Sequence, residues 1–160
     1  MKRILLIVFA GLLSLAASAQ DGRKIYNRYS DSKGVESVYV SPFMYKLFGK
    51  LPGIRIGENN IDLGKLIKSY NGLYILNTGD AEVVAKIQDD VRRCTKSGKY
   101  ELMMEAKEDG DDVTTVYATP LGEYFDSLLL VTADDDDLTF VCLDARVSRA
   151  ELKKLLKSMK

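Results

Sequence analysis

The chain has 160 residues, with 23 lysines and arginines balanced by 23 aspartates and glutamates. It therefore lacks the clustered basic footprint of a nucleic-acid-binding protein, and no nucleic acid is expected among its partners. Histidine is absent, which excludes Ser-His-Asp and Cys-His chemistry and removes the commonest zinc ligand.

The first residues form a secretory leader. Lys2 and Arg3 supply a positive start, Ile4 to Leu15 an apolar run, and Ala17-Ser18-Ala19 the small residues a signal peptidase accepts. Cleavage is expected after Ala19, with export to the periplasm in a Gram-negative source. The run is shorter than the ~20 apolar residues of a membrane span, and no second stretch of spanning length follows, so no integral membrane protein is expected. A lipoprotein would need cysteine after the cut, where Gln20 stands instead. Removing residues 1–19 leaves 141 residues with 21 basic and 23 acidic side chains. That is one domain's worth of chain, long enough to bury a core. Residues 20–33 read as a partly ordered N-terminal segment that turns helical near Ile25, Tyr26 and Tyr29, and residues 34–160 as a single α+β domain.

Gly34 precedes a first strand, Val35 to Ser41, rich in β-branched and aromatic residues. Ser41-Pro42 then reads as an N-cap followed by proline at the first helical position. Phe43, Met44, Leu47, Phe48 and Leu51 fall at helical spacing up to Pro52. Gly53 to Asn60 reads as a loop. Asp62 resembles another N-cap, with Ile61 and Leu66 spaced as a hydrophobic staple. Leu63, Leu66, Ile67 and Tyr70 make a short amphipathic helix that Asn71-Gly72 stops. Leu73 to Leu76 is the second strand.

Thr78 to Asp80 opens the clearest helix of the chain, with Val83, Val84, Ile87, Val91 and Cys94 on one face and Gly98 at its close. The period then changes to two. Tyr100, Leu102, Met104 and Ala106 alternate with Glu101, Met103, Glu105 and Lys107, Asp109-Gly110 signals a hairpin turn, and Val113, Thr115 and Tyr117 alternate on the return. Pro120 and Gly122 turn the chain into a strand from Phe125 to Thr132. Asp134 to Asp137 make the next turn, and Leu138 to Arg146 form the last strand. Ser148-Arg149-Ala150-Glu151 is a capping box that starts a helix expected to bury Leu152, Leu155, Leu156 and Met159. The predicted architecture is α+β, a mostly antiparallel sheet of about six strands with helices on one face, in the order βα(α)βα-ββββ-α.

Five features invite a functional reading. Asp134, Asp135, Asp136 and Asp137, with Asp109, Asp111 and Asp112 in the preceding hairpin, are the candidates for a hard cation such as calcium. Their spacing is not that of an EF-hand, and solvated turns are the plainer reading. The glycines Gly53, Gly57 and Gly64 lack the lysine-serine pair of a phosphate loop, and no cofactor is expected. Glu58, Glu123 and Glu151 could serve a glycosidase only as a pair across a cleft. Cys94 and Cys142 allow one disulfide. Both lie on faces that meet between helix and sheet, and pairing or two separate buried thiols both fit. Finally, the apolar surface of Phe43, Met44, Leu47 and Phe48 is wider than one surface helix normally buries. Apolar stripes usually point inward, so a core position is expected, with a partner surface at Phe43, Met44 and Phe48 as the alternative.

Several stretches carry a family resemblance: Tyr29-Ser30-Asp31 through Gly34 to Ser41, Leu63-Gly64-Lys65-Leu66, Gly72 to Asn77, and Met104 to Gly110. On these the chain resembles a domain-of-unknown-function family of small exported proteins common in Bacteroidetes. The resemblance brings no catalytic residues. Some relatives are encoded near extracytoplasmic-function sigma factors, which implies a role in envelope sensing or homeostasis. The expected function is non-enzymatic binding of a protein or another envelope component. A histidine-free carboxylate hydrolase and a calcium-dependent structural or adhesion module are the alternatives.

Overall fold

The computed structural model describes residues 17–48, 54–56, 59–61, 67–108 and 112–158. In chain order these form α1 (Ala17–Tyr29), β1 (Val35–Val40), α2 (Pro42–Phe48), β2 (Ile54–Ile56), β3 (Asn59–Ile61) and β4 (Ile67–Thr78). Then follow α3 (Ala81–Thr95), β5 (Glu101–Lys107), β6 (Val113–Leu121), β7 (Tyr124–Ala133), β8 (Leu138–Ser148) and α4 (Arg149–Ser158). Six strands make one antiparallel sheet in the order β1-β4-β8-β7-β6-β5, and β2 and β3 make a separate small hairpin. The α+β class and the antiparallel meander of β5 to β8 follow the alternation of the sequence. The last strand pairs with β4 from Ile67↔Val147 to Thr78↔Leu138, which joins the two halves of the chain.

Local signals set several element ends. Ser41 Oγ accepts from the Met44 amide at 3.2 Å, so the serine caps α2 as its spacing predicts. Asp80 caps α3 by accepting from the Glu82 and Val83 amides. Ser148 Oγ accepts from the Glu151 amide at 3.5 Å at the start of α4. Gly122, at φ 57°, supplies the left-handed residue of the turn between β6 and β7.

Both faces of the sheet are buried, because β7 and β8 are apolar on both sides. Leu138, Phe140 and Cys142 of β8 point to one face and Val141, Leu143, Ala145 and Val147 to the other. The first face packs under α1 and α3 through Ile25, Tyr29, Ile87 and Val91. The second carries Leu73, Leu128, Leu130 and Val116, together with Leu152 of α4. The helices therefore divide between the two faces instead of gathering on one. A strand such as Leu128-Leu129-Leu130-Val131 has no polar side to leave in water.

Three further expectations change. The helical turn read near Ile25, Tyr26 and Tyr29 extends into a full helix, since α1 runs from Ala17 to Tyr29 with Ile25 and Tyr29 in the core. Gly22 lets α1 approach the sheet, and a methyl group there would overlap Cys142 Sγ and Leu129 Cδ2. Ile67 and Tyr70 lie in β4 and not in a short helix, and Asn71-Gly72 sits inside that strand. The ladder to β8 absorbs the misfit with register shifts between Ile67 and Ser69 and between Tyr70 and Gly72. The stretch read as a loop contains the β2–β3 hairpin. Of the expected cap and staple, Ile61 lies in β3, while Asp62 and Leu66 lie outside the described residues, as do the side chains of Leu155, Leu156 and Met159.

Candidate binding surface

The expectation that α2 sits in the core does not hold. None of its described side chains is buried. Phe43 is 71% exposed, Leu47 62%, Phe48 63% and Met44 43%. The helix is held by its remaining aromatic residue, Tyr45, whose ring lies 4.5 Å from that of Tyr70 on β4. Tyr70 in turn donates its hydroxyl hydrogen to the Val40 carbonyl, tying α2 to the end of β1. Burial holds the Tyr70 phenol well above its usual range. The neighbouring strand adds Val38 at 48% and Tyr39 at 49% exposure. Tyr39 stacks on Tyr74 at 4.9 Å on the α1 face, while Val38 points to the face that carries α2. Phe43, Met44, Leu47 and Phe48, the apolar surface read from the sequence, are thus exposed, and Val38, which that reading did not include, points to the same face of the sheet.

Two polar clusters are fully engaged within the protein. Between α1 and α3, Arg28, Lys86 and Arg93 line an open depression of about 360 Å³ with Glu82, Asp89 and Asp90. Each cation has a carboxylate within reach: Arg28 to Asp90, Lys86 to Glu82, and Arg93 to Asp89 and Asp90. The Tyr29 hydroxyl donates to Asp90 at 2.8 Å. This is a clamp between two helices whose charges cancel. On the same face, Asp144 is buried and accepts from Arg23 and from the Asn71 side-chain amide, both at 3.1 Å.

Asp112 and the turn from Asp134 to Asp137 stand at the same end of the sheet, since Val113 pairs with Ala133. Asp134 turns its carboxylate inward to accept from the Asp136 and Asp137 amides, closing its own turn. Asp135, Asp136 and Asp137 are exposed. Among the described residues no three His, Cys, Asp or Glu side chains converge as a metal site would require. Asp109 and Asp111 lie outside the described residues, as does Glu58. Glu123 is exposed in the turn between β6 and β7, and Glu151 pairs with Lys154 at 3.0 Å.

Cys94 and Cys142 both belong to the core under α1 and α3, and both are free thiols. Burial pushes each from 9.0 up to about 12. A thiol that keeps its proton in the folded state while the unfolded chain ionises stabilises the fold fully below pH 9. That contribution is lost as pH rises through the folded value. Burial also raises the phenols of Tyr29, Tyr70 and Tyr74 above 10.0, with the same sign. Under reducing conditions the urea midpoint should therefore be level approaching pH 9 and fall steadily above it. The decline should be shallower in Cys142→Ala. A midpoint unchanged at pH 11 would contradict this burial.

Among the described residues no helix is long and apolar enough to cross a membrane. No curated protein and no solved structure matches the chain. A family model does match, over residues 29–155, from the last residue of α1 into α4 and so across the whole six-stranded sheet. On that match the chain belongs to the family described as Domain of unknown function (DUF4252).

Proposed function

We propose that this chain is an exported, non-enzymatic binding module that engages an envelope component through the apolar surface of α2 and β1. The observation that carries the reading is the exposure of Phe43, Leu47 and Phe48 on a helix that buries none of its described side chains. An aromatic side chain carries about 150–250 Å² and an aliphatic one somewhat less, so the five exposed residues on this face, Val38, Phe43, Met44, Leu47 and Phe48, present on the order of 500 Å² of apolar surface to water. That is towards the upper end of the largest patch on a typical monomer, and such patches commonly mark interaction sites. Each large apolar side chain left in water forgoes about 1.5–3 kcal/mol of burial, which a partner would recover.

Export supports the same reading, since the leader of Lys2, Arg3, Ile4 to Leu15 and Ala17-Ser18-Ala19 delivers the domain to the envelope. Amino-terminal sequencing of native protein should begin at Gln20, and retention of Met1 would overturn export. Binding is tested by affinity capture of the processed protein from envelope extract under mild crosslinking. The wild type should recover a defined component that the Phe43→Asp, Phe48→Asp double variant recovers at least tenfold less. Its melting temperature should be unchanged, because both rings are already in solvent. Equal recovery by the two proteins, or none by either, would defeat the reading.

A further inference from the structure

The two edges of the six-stranded sheet are built differently. Among the described residues β5 pairs only with β6, and β1 only with β4. The β5 edge carries Glu101, Glu105 and Lys107, with Lys107 and Glu105 paired at 3.3 Å, and its register breaks between Leu102 and Met104. Charges and bulges of this kind prevent another strand from adding to an edge. The β1 edge has neither device along most of its length. Its six residues run in unbroken register from Val35↔Thr78 to Val40↔Leu73, without proline or lysine, and Glu36 is its one charge. Val38 and Tyr39 at its middle are about half exposed.

From this contrast we propose that a second copy of the chain occupies this surface, joined through β1 to β1 in antiparallel register to make one continuous twelve-stranded sheet. The proposal rests on the reading of β1 and α2 as a binding surface and names its occupant. A two-fold axis normal to the sheet at Val38 sets Val38 against Val38 of the second copy, Ser37 against Tyr39 and Glu36 against Val40. The two Glu36 carboxylates then stand four residues apart along the strands, about 14 Å at ~3.4 Å per residue, beyond the ~8 Å screening length at physiological salt. Strand self-pairing therefore meets no like-charge penalty.

The same axis keeps equivalent faces of the two sheets together. Val38 and α2 share a face, so both α2 helices flank the junction on one side. The surface of roughly 500 Å² per copy, with the strand backbone added, reaches the lower end of specific interfaces, about 600 Å² per partner. A lipid surface fits less well. Lowering α2 into hydrocarbon would bring the unpaired edge of β1 towards a medium that cannot hydrogen-bond it, whereas a second β1 supplies both donors and acceptors.

Sedimentation velocity on the full, processed protein tests the assembly. The wild type should sediment as a dimer. Val38→Lys, which places a charge at the axis against its own copy, should be monomeric with an unchanged far-ultraviolet spectrum. In Val38→Cys the two new thiols would lie on strands whose opposed Cα atoms are about 4.5–5.5 Å apart, a distance a disulfide spans. Mild oxidation should therefore produce a covalent dimer that the wild type does not form. A wild type that stays monomeric into the millimolar range would overturn the proposal, as would a dimer that neither Val38→Lys dissolves nor Val38→Cys locks. The failures are separable. A monomer that still captures an envelope component through Phe43 and Phe48 removes only the second copy. A β1-linked dimer that captures nothing retains the assembly and removes the envelope component.

Discussion

Replacing Phe140 with alanine is expected to lower the unfolding free energy by about 3–5 kcal/mol, the usual cost of truncating a fully buried phenylalanine. Phe140 is completely inaccessible on β8 and lies opposite Leu76 of β4 and Val131 of β7. All three residues belong to the layer under α1 and α3, together with Ile87 of the covering helix. The space left by the ring is walled by two hydrogen-bonded strands and a helix, so it cannot collapse without breaking a ladder. A domain of this size is stable by about 5–15 kcal/mol, so the variant would keep only part of its margin. Urea denaturation measures the loss. Phe140→Leu, which retains much of the volume, should cost clearly less. A loss below about 1 kcal/mol for the alanine variant would mean that the site is not packed as described.

Removal of the Asp90 carboxylate should have the next largest effect, about 2 kcal/mol for Asp90→Ala. Asp90 is buried in α3 and receives the Tyr29 hydroxyl, Arg28 at 2.5 Å and Arg93 at 3.4 Å. The two arginines are more than half exposed and would return to water at little cost, so their ion pairs count for little. Most of the loss comes from Tyr29, which is 7% exposed and would be left with a donor and no acceptor. Two comparisons isolate that cause. Asp90→Asn keeps an acceptor oxygen and should lose less. In a cycle with Tyr29→Phe, the double variant should be more stable than the sum of the two single losses predicts, because the stranded hydroxyl is gone. Strict additivity would show that the hydroxyl does not depend on Asp90.

The surface of α2 shows where pattern ends and topology begins. Ser41, Pro42 and the spacing of Phe43, Met44, Leu47 and Phe48 identify a helix and its start. The same stripe would suit a core helix. What turns it outward is the Tyr45–Tyr70 contact at the edge of the sheet, and Tyr70 is there only because β4 begins as early as Ile67. The spacing of Leu63, Leu66, Ile67 and Tyr70 imitates a helix. It becomes partly strand because β8 offers a ladder reaching Val147, a partner 80 residues away in the chain. In the same way Ile25, Tyr26 and Tyr29 mark only a short helical turn in the sequence, and the length of α1 depends on Asp90 and the sheet that hold it.

The sequence by itself determined the elements whose signals are local: the caps at Ser41, Asp80 and Ser148, the apolar face of α3, and the alternating strands of the meander. In each case neighbouring residues supply both the pattern and the hydrogen-bond partners. Only the tertiary structure decided the division of helices between two faces, the early start of β4 and the exposure of α2. It also decided that β1 and β5 are the edges. Those features depend on which strand lies beside which, and that order is set by ladders and packing between residues far apart in the chain.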